Sequence, residues 1–176
     1  MPVQQIGSPQ RTNQDNTNSL TLSFTTSAGN NPYLLVAVSH REPAFSGTVC
    51  TGVTFGGTPL TFIGENTSTG FRDVYTSLWG IANPTAQTAN IVASFNNSVT
   101  RGKISAVQFL QVDPDTPITD SNVAGGFGRD AEVTVNSDTG DLIVDSIAGR
   151  SNATWSPSAA NGQTYIDDFT STGTLR

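Results

Sequence analysis

Apolar positions along the chain recur at every second residue, and no stretch of useful length shows a helical period. Leu20, Leu22 and Phe24 alternate with Thr21, Ser23 and Thr25, which puts three apolar side chains on one face of a half-buried strand. After Gly29, Asn30, Asn31 and Pro32, the run YLLVAV at 33–38 is apolar on both faces, as a central strand requires, and it ends at Ser39 and His40. Val53 and Phe55, then Gly56-Gly57, then Leu60 and Phe62 predict a β-hairpin, because two glycines supply the positive φ of a tight primed turn. Residues 71–79 predict a strand with Val74, Thr76 and Leu78 on one face and Phe71, Tyr75 and Trp79 on the other, stopped by Gly80 and Asn83-Pro84. Ile91, Ala93 and Phe95 alternate up to an expected turn at Asn96-Asn97, and a further strand over 103–112 closes at Asp113-Pro114-Asp115-Thr116-Pro117. Two more strands are expected at 131–136 and 141–148, and a weaker one at 163–166. Short strands separated by turn signals predict an all-β protein, built as a two-sheet antiparallel β-sandwich. The expected core includes Leu22, Leu35, Val36, Phe55, Leu78, Trp79, Phe109, Leu142 and Val144.

Residues 1–18 lack the alternation. They carry Pro2, Pro9 and a run of Gln and Asn, with Val3 and Ile6 as the only large apolar anchors, and so predict an extended N-terminal arm. The arm is either a frayed terminus or a contact with a neighbouring subunit through Val3 and Ile6. No break in composition marks a second domain, so residues 19–176 are expected to form one β-sandwich domain. Composition supports the strand reading: Thr, Ser, Asn and Gly fill 74 of 176 positions, residues that disfavour helix interiors and suit strands and turns. Only 12% of residues are charged, so the surface is made largely of small neutral polar groups.

Charge and chemistry remove several function classes. Net charge is −6, and the cations are seven scattered Arg and Lys103, which excludes the clustered positive face that nucleic acid needs. No apolar run approaches the ~18 residues of a membrane-spanning helix, and residues 1–10 have neither the basic start nor the apolar stretch of a signal peptide. One His and one Cys exclude a Cys/His zinc site, and lone Cys50 can form no internal disulfide. Hydroxyl-nucleophile catalysis with imidazole as base has only His40 to draw on, beside Arg41 and Glu42, where anchoring a loop is the simpler role. Cys50 has no basic neighbour to lower its pKa. Asp113, Asp115 and Asp120 share one loop and are weak candidates for calcium, against which Pro114 and Pro117 favour Asx turns; Asp167 and Asp168 are weaker still. Gly125-Gly126-Phe127-Gly128 precedes no helix and reads as a loop, not a phosphate cradle. Sequons at Asn66, Asn96 and Asn152 match the number expected by chance. Trp155 and Tyr165 are weak candidates for stacking on a sugar face. No catalytic residues, no metal and no cofactor are expected, and the protein is read as a non-enzyme.

A set of strand cores and turns carries a resemblance: Asn31-Pro-Tyr-Leu-Leu-Val-Ala-Val-Ser, Val53-Thr-Phe-Gly-Gly-Thr-Pro-Leu-Thr, Ser77-Leu-Trp, Ile104-Ser-Ala-Val-Gln-Phe, Asp113-x-x-Thr-Pro-Ile and Gly140-Asp-Leu-Ile-Val-Asp. Over about residues 20–170 the chain resembles a jelly-roll-like β-sandwich module of bacterial surface and secreted proteins and of tailed-phage virion proteins. The resemblance implies a scaffold for display, adhesion, sugar binding or capsid reinforcement. With no export signal, it points to a structural virion protein of a bacteriophage, a capsid decoration or cement protein that contacts the major capsid protein or another virion protein. The alternative is an extracellular or cell-surface carbohydrate-binding or adhesion module, including a tail or receptor-binding component, with a surface glycan as partner. The last apolar strand of such modules has no counterpart after Ile166, so an open sheet edge is expected to be filled by the arm through Val3 to Ile6 or by a second subunit. A homo-oligomer, a trimer by preference, is the expected state, with no nucleic acid and no membrane as partner.

Overall fold

The computed structural model describes residues 2–43, 46–66, 74–125, 132–149 and 166. Among these residues there is no helix, and seven strands pair antiparallel throughout: β1 (Gln4–Thr25), β2 (Tyr33–Arg41), β3 (Cys50–Phe55), β4 (Thr58–Pro59), β5 (Thr61–Asn66), β6 (Val74–Ala82) and β7 (Thr88–Leu110). The long strand β7 organises the sheet. It is flanked by β1 from Gln4↔Leu110 to Thr25↔Thr88. Its opposite neighbour is β3 at Ile91 to Phe95 and then β2 at Arg101 to Phe109. β6 lies on β2, and β5 lies on β6. Because only Leu60 separates β4 from β5, and β4 pairs back onto β3, the path β7-β2-β6-β5-β4-β3 returns toward β7 and the sheet nearly closes into a barrel. Leu60 helps the closure by donating its N–H to the Val53 carbonyl at 2.9 Å.

Alternation along each strand then divides the side chains into two sets. Leu20, Leu22 and Phe24 of β1, Leu34, Val36 and Val38 of β2, Val53 and Phe55 of β3, Trp79 of β6, and Ile91, Ala93, Phe95, Ile104 and Ala106 of β7 form the main core. The reverse face of β2 and β7 carries a smaller cluster of Tyr33, Leu35, Val107, Phe109 and Val112, against which Val3, Leu78, Val144 and Ile166 pack. This second cluster explains why YLLVAV is apolar on both faces: β2 is covered on both sides. The Gly56-Gly57 turn joins β3 to β4 with φ of 55° and 86°, the positive values a primed turn demands. Gly80 meets a different need. A Cβ there would collide with the Tyr33 ring, with Tyr33 Cε1 only 2.7 Å away. Gly80→Ala is therefore expected to destabilise the fold by about 1–3 kcal/mol, as overpacking does. Chemical denaturation checks it, and a change near zero would show that the Tyr33 ring moves aside freely.

Three expectations are corrected. Asn96-Asn97 makes no chain reversal; β7 runs straight through, and a bulge sets the four residues 95–98 against the single Asn18 of β1. The Asn96 amide instead holds a loop, accepting the Val49 N–H at 2.9 Å and donating to the Gly47 carbonyl at 3.1 Å. The strands expected at 131–136 and 141–148 are absent from residues 132–149, which are held by side-chain bonds rather than a ladder. Asn122 Nδ2 donates to the Thr134 carbonyl, Asp120 accepts from the Asn136 N–H, and Asp141 accepts from the Asp138 N–H. Leu142, expected in the core, is 47% exposed, because no partner strand covers that segment among the described residues. Residues 163–165 of the weaker expected strand, and Phe71, lie outside the described residues.

Candidate functional site

The segment read as an arm is the first half of β1. From Gln4↔Leu110 to Thr17↔Val99 it lies on the chain's own β7, and Val3, just ahead of it, packs on the second cluster. Ile6 is half-buried opposite Gln108. The two residues nominated for partner contact are thus brought onto the body of the same chain. Most of the rest of this half-strand faces solvent, so backbone pairing holds it more than apolar burial does.

At the end of β2 a polar knot gathers buried His40, Glu42 and Thr48 with half-buried Tyr75 and exposed Ser46. His40 has no exposed surface; its Nε2–H donates to the Thr48 carbonyl at 2.9 Å. Its ring stacks on Tyr75 at 4.9 Å and tilts against Phe95 at 5.1 Å. Nδ1 is buried and meets no hydrogen-bond partner among the described residues. Glu42 is the hub. Its Oε1 accepts the Tyr75 hydroxyl at 2.7 Å, and its Oε2 accepts the Thr48 N–H at 2.7 Å and the Ser46 hydroxyl at 2.8 Å. Burial alone would push this carboxyl up, but the three donors and the neighbouring imidazole together hold it below the usual carboxylate range. Burial pushes His40 down, against smaller opposing contributions from the Thr48 carbonyl and Glu42, so it is neutral at pH 7. The knot fastens Ser46 and Thr48 to the end of β2. His40 is joined to a carbonyl rather than to a hydroxyl or thiol, the arrangement of an anchor rather than of a general base. Cys50 is packed in the main core, and burial pushes its thiol up to about 11, which keeps it protonated and unreactive.

The aspartates after β7 act as local caps. Asp113 Oδ1 accepts the N–H groups of Asp115 and Thr116 at 2.9 and 3.3 Å, an Asx turn that also lowers its pKa. Asp120 accepts the Asn136 N–H and side-chain amide at 2.7 and 2.9 Å, which lower it likewise. Asp115 lies apart from both roles, on a groove of about 410 Å³ lined by Tyr33, Thr61, Phe62, Thr116, Pro117 and Ser121. Among the described residues no three His, Cys, Asp or Glu side chains converge on a metal position. Trp155 and Tyr165, the candidates for sugar stacking, and Asp167 and Asp168 lie outside the described residues.

Sequence reasoning missed Glu42 as hub and Phe62 as a half-exposed ring beside a groove. The triplet His40-Arg41-Glu42 directly after a fully apolar strand was the available signal for the first. Phe62 follows Leu60 at a spacing of two, which reads as buried; it pairs opposite buried Trp79 and meets its ring edge-on, yet its other side faces the groove and it stays 51% exposed. No protein-family model, no curated protein and no solved structure matches the chain.

Proposed function

We propose that the chain is a structural virion protein of a bacteriophage, a capsid decoration or cement protein that stabilises its particle by protein–protein contacts. The observation that carries this is β1: a 22-residue strand paired along one side by β7, with no described strand on its other side, and with only Arg11 and Asp15 as charged residues. A free edge is a template for joining chains, and although the Gly7–Pro9 bulge and Asn16 interrupt this one, Gln10 to Asp15 between them keep an unbroken register. A neutral Thr/Asn-rich surface suits close packing of many copies on a shell. In this proposal residues 1–18 are the assembly segment and 19–176 the body. The passage of β7 from β3 to β2 supports a two-layer, jelly-roll-like description, its halves belonging to different walls. A shell protein and further copies of the chain are the proposed partners.

The groove beside Phe62 favours one second reading, a glycan-binding or adhesion module, since an exposed ring flanked by hydroxyls suits a sugar face. Adding the purified chain to particles that lack it, while probing the same chain on a glycan array, separates the two. A decoration protein binds saturably and raises the temperature at which the genome escapes, with a blank array. Tight glycan binding and no attachment to particles would replace the first reading by the second.

A further inference from the structure

We propose that two copies of this chain pair edge to edge through β1, antiparallel, about a twofold axis that passes between their two Asn13 residues. The inference rests on the assembly reading for its partner, a second copy, and takes its register from β1 itself.

Two irregularities bound the usable edge. On one side Gly7, Ser8 and Pro9 bulge opposite the single residue Val107, and Pro9 has no N–H to offer. On the other, Asn16 has a φ of 52°, which breaks the pleat. Between them Gln10 to Asp15 keep an unbroken register with β7, from Ala106 to Arg101, and all but Thr12 are exposed.

Symmetry then restricts the pairing. A twofold axis normal to a sheet preserves which face a side chain points to, so it must set one residue opposite its own copy. An axis at Arg11 or at Asp15 would oppose like charges. One at Thr12 or Gln14 would leave both charges facing neutral residues. Only the axis at Asn13 sets Arg11 of each copy opposite Asp15 of the other, and does so twice. Arg11, Asn13 and Asp15 share one face of the strand, as does Arg101, which is opposite Asp15 on β7 and 3.8 Å from its carboxylate. Pairing extends that ion pair into a row of alternating charge across the joined sheets. Five residues from each copy bury less than a lasting interface of ~1,200 Å² or more. The contact is accordingly weak for free chains and effective where a particle surface holds copies side by side.

Site-directed disulfide trapping of the full chain tests the register, with wild type, whose only thiol is buried Cys50, as the background. Residues directly opposite have Cβ atoms ~5 Å apart, within reach of a disulfide. Asn13→Cys is expected to give a covalent dimer on mild oxidation. Thr12→Cys and Gln14→Cys are expected to give at least fivefold less when oxidised singly, and to cross-link to each other when mixed. Adding Arg11→Asp to Asn13→Cys lowers the yield several-fold, and Arg11→Asp with Asp15→Arg restores it. No dimer at Asn13, or equal yields at 12, 13 and 14, overturns the pairing. Trapping at Asn13 in a chain that binds no particle would defeat the virion reading and leave the pairing intact, whereas particle binding without trapping does the reverse.

Discussion

Trp79→Ala is expected to lower the stability of the fold by about 3–5 kcal/mol, the usual range for removing a large aromatic side chain from a core. Trp79 is 7% exposed in the main core, where β6 faces β5. Its indole Nε1 donates to Ser77 Oγ at 2.9 Å, and its ring meets Phe62 at 5.0 Å in an edge arrangement. Alanine removes the bulk, the hydrogen bond and the support of Phe62 at once. Trp79→Phe keeps most of the bulk and should lose clearly less. Urea titration of both variants checks the order, and a loss for alanine within experimental error would mean that the barrel end is open to water at this point.

Glu42→Ala is expected to cost about 2–4 kcal/mol, since it leaves a buried backbone N–H and two hydroxyls without their charged acceptor. The same knot makes the fold acid-sensitive. Glu42 has its folded pKa depressed below that of the unfolded chain, so its stabilisation is present above the unfolded pKa of about 4.5 and is lost as pH falls through the folded value. His40 is also depressed in the fold. Below its unfolded pKa of about 6.5 the unfolded chain takes up a proton that the fold resists, and stability declines from there downward. Both effects have the same sign. The melting temperature should hold from pH 8 to 7, begin to fall near pH 6.5 and fall further through the carboxylate range. In Glu42→Gln the lower part of that decline should shrink while the part near pH 6.5 stays. A wild-type melting temperature that is flat from pH 7 to 4 would contradict the buried, neutral His40.

The all-β class and most of the inner face were legible because burial in a sheet imprints a period of two, seen in Leu20-Leu22-Phe24 and Ile91-Ala93-Phe95. The Gly56-Gly57 turn was legible because its backbone requires what those residues supply. What escaped depends on contacts distant in sequence. Asn96-Asn97 has turn chemistry, yet Gly47 and Val49 lie close enough to engage the Asn96 amide, and the strand continues. Leu142, Val144 and Ser146 alternate like a strand, but only Val144 and Ser146 find partners, the latter at Thr76 Oγ1, 2.7 Å away. The pairing of β1 along β7 was hidden for a related reason: Gln10 to Thr17 show no apolar alternation, since the backbone and not side-chain burial secures them. Of the candidate chemistry, the Asx role of Asp113 could be anticipated from its neighbours, whereas the hub role of Glu42 requires Tyr75, 33 residues away, to be folded onto it.

The most direct test of the central claim is the copy number of the chain in particles, measured by quantitative mass spectrometry on phage virions purified from cells that carry its gene. A decoration or cement protein is expected at a fixed ratio to the major capsid protein that persists through density-gradient and size-exclusion steps. Its absence from purified particles, with the chain recovered instead from the cell surface or the medium, would contradict the account.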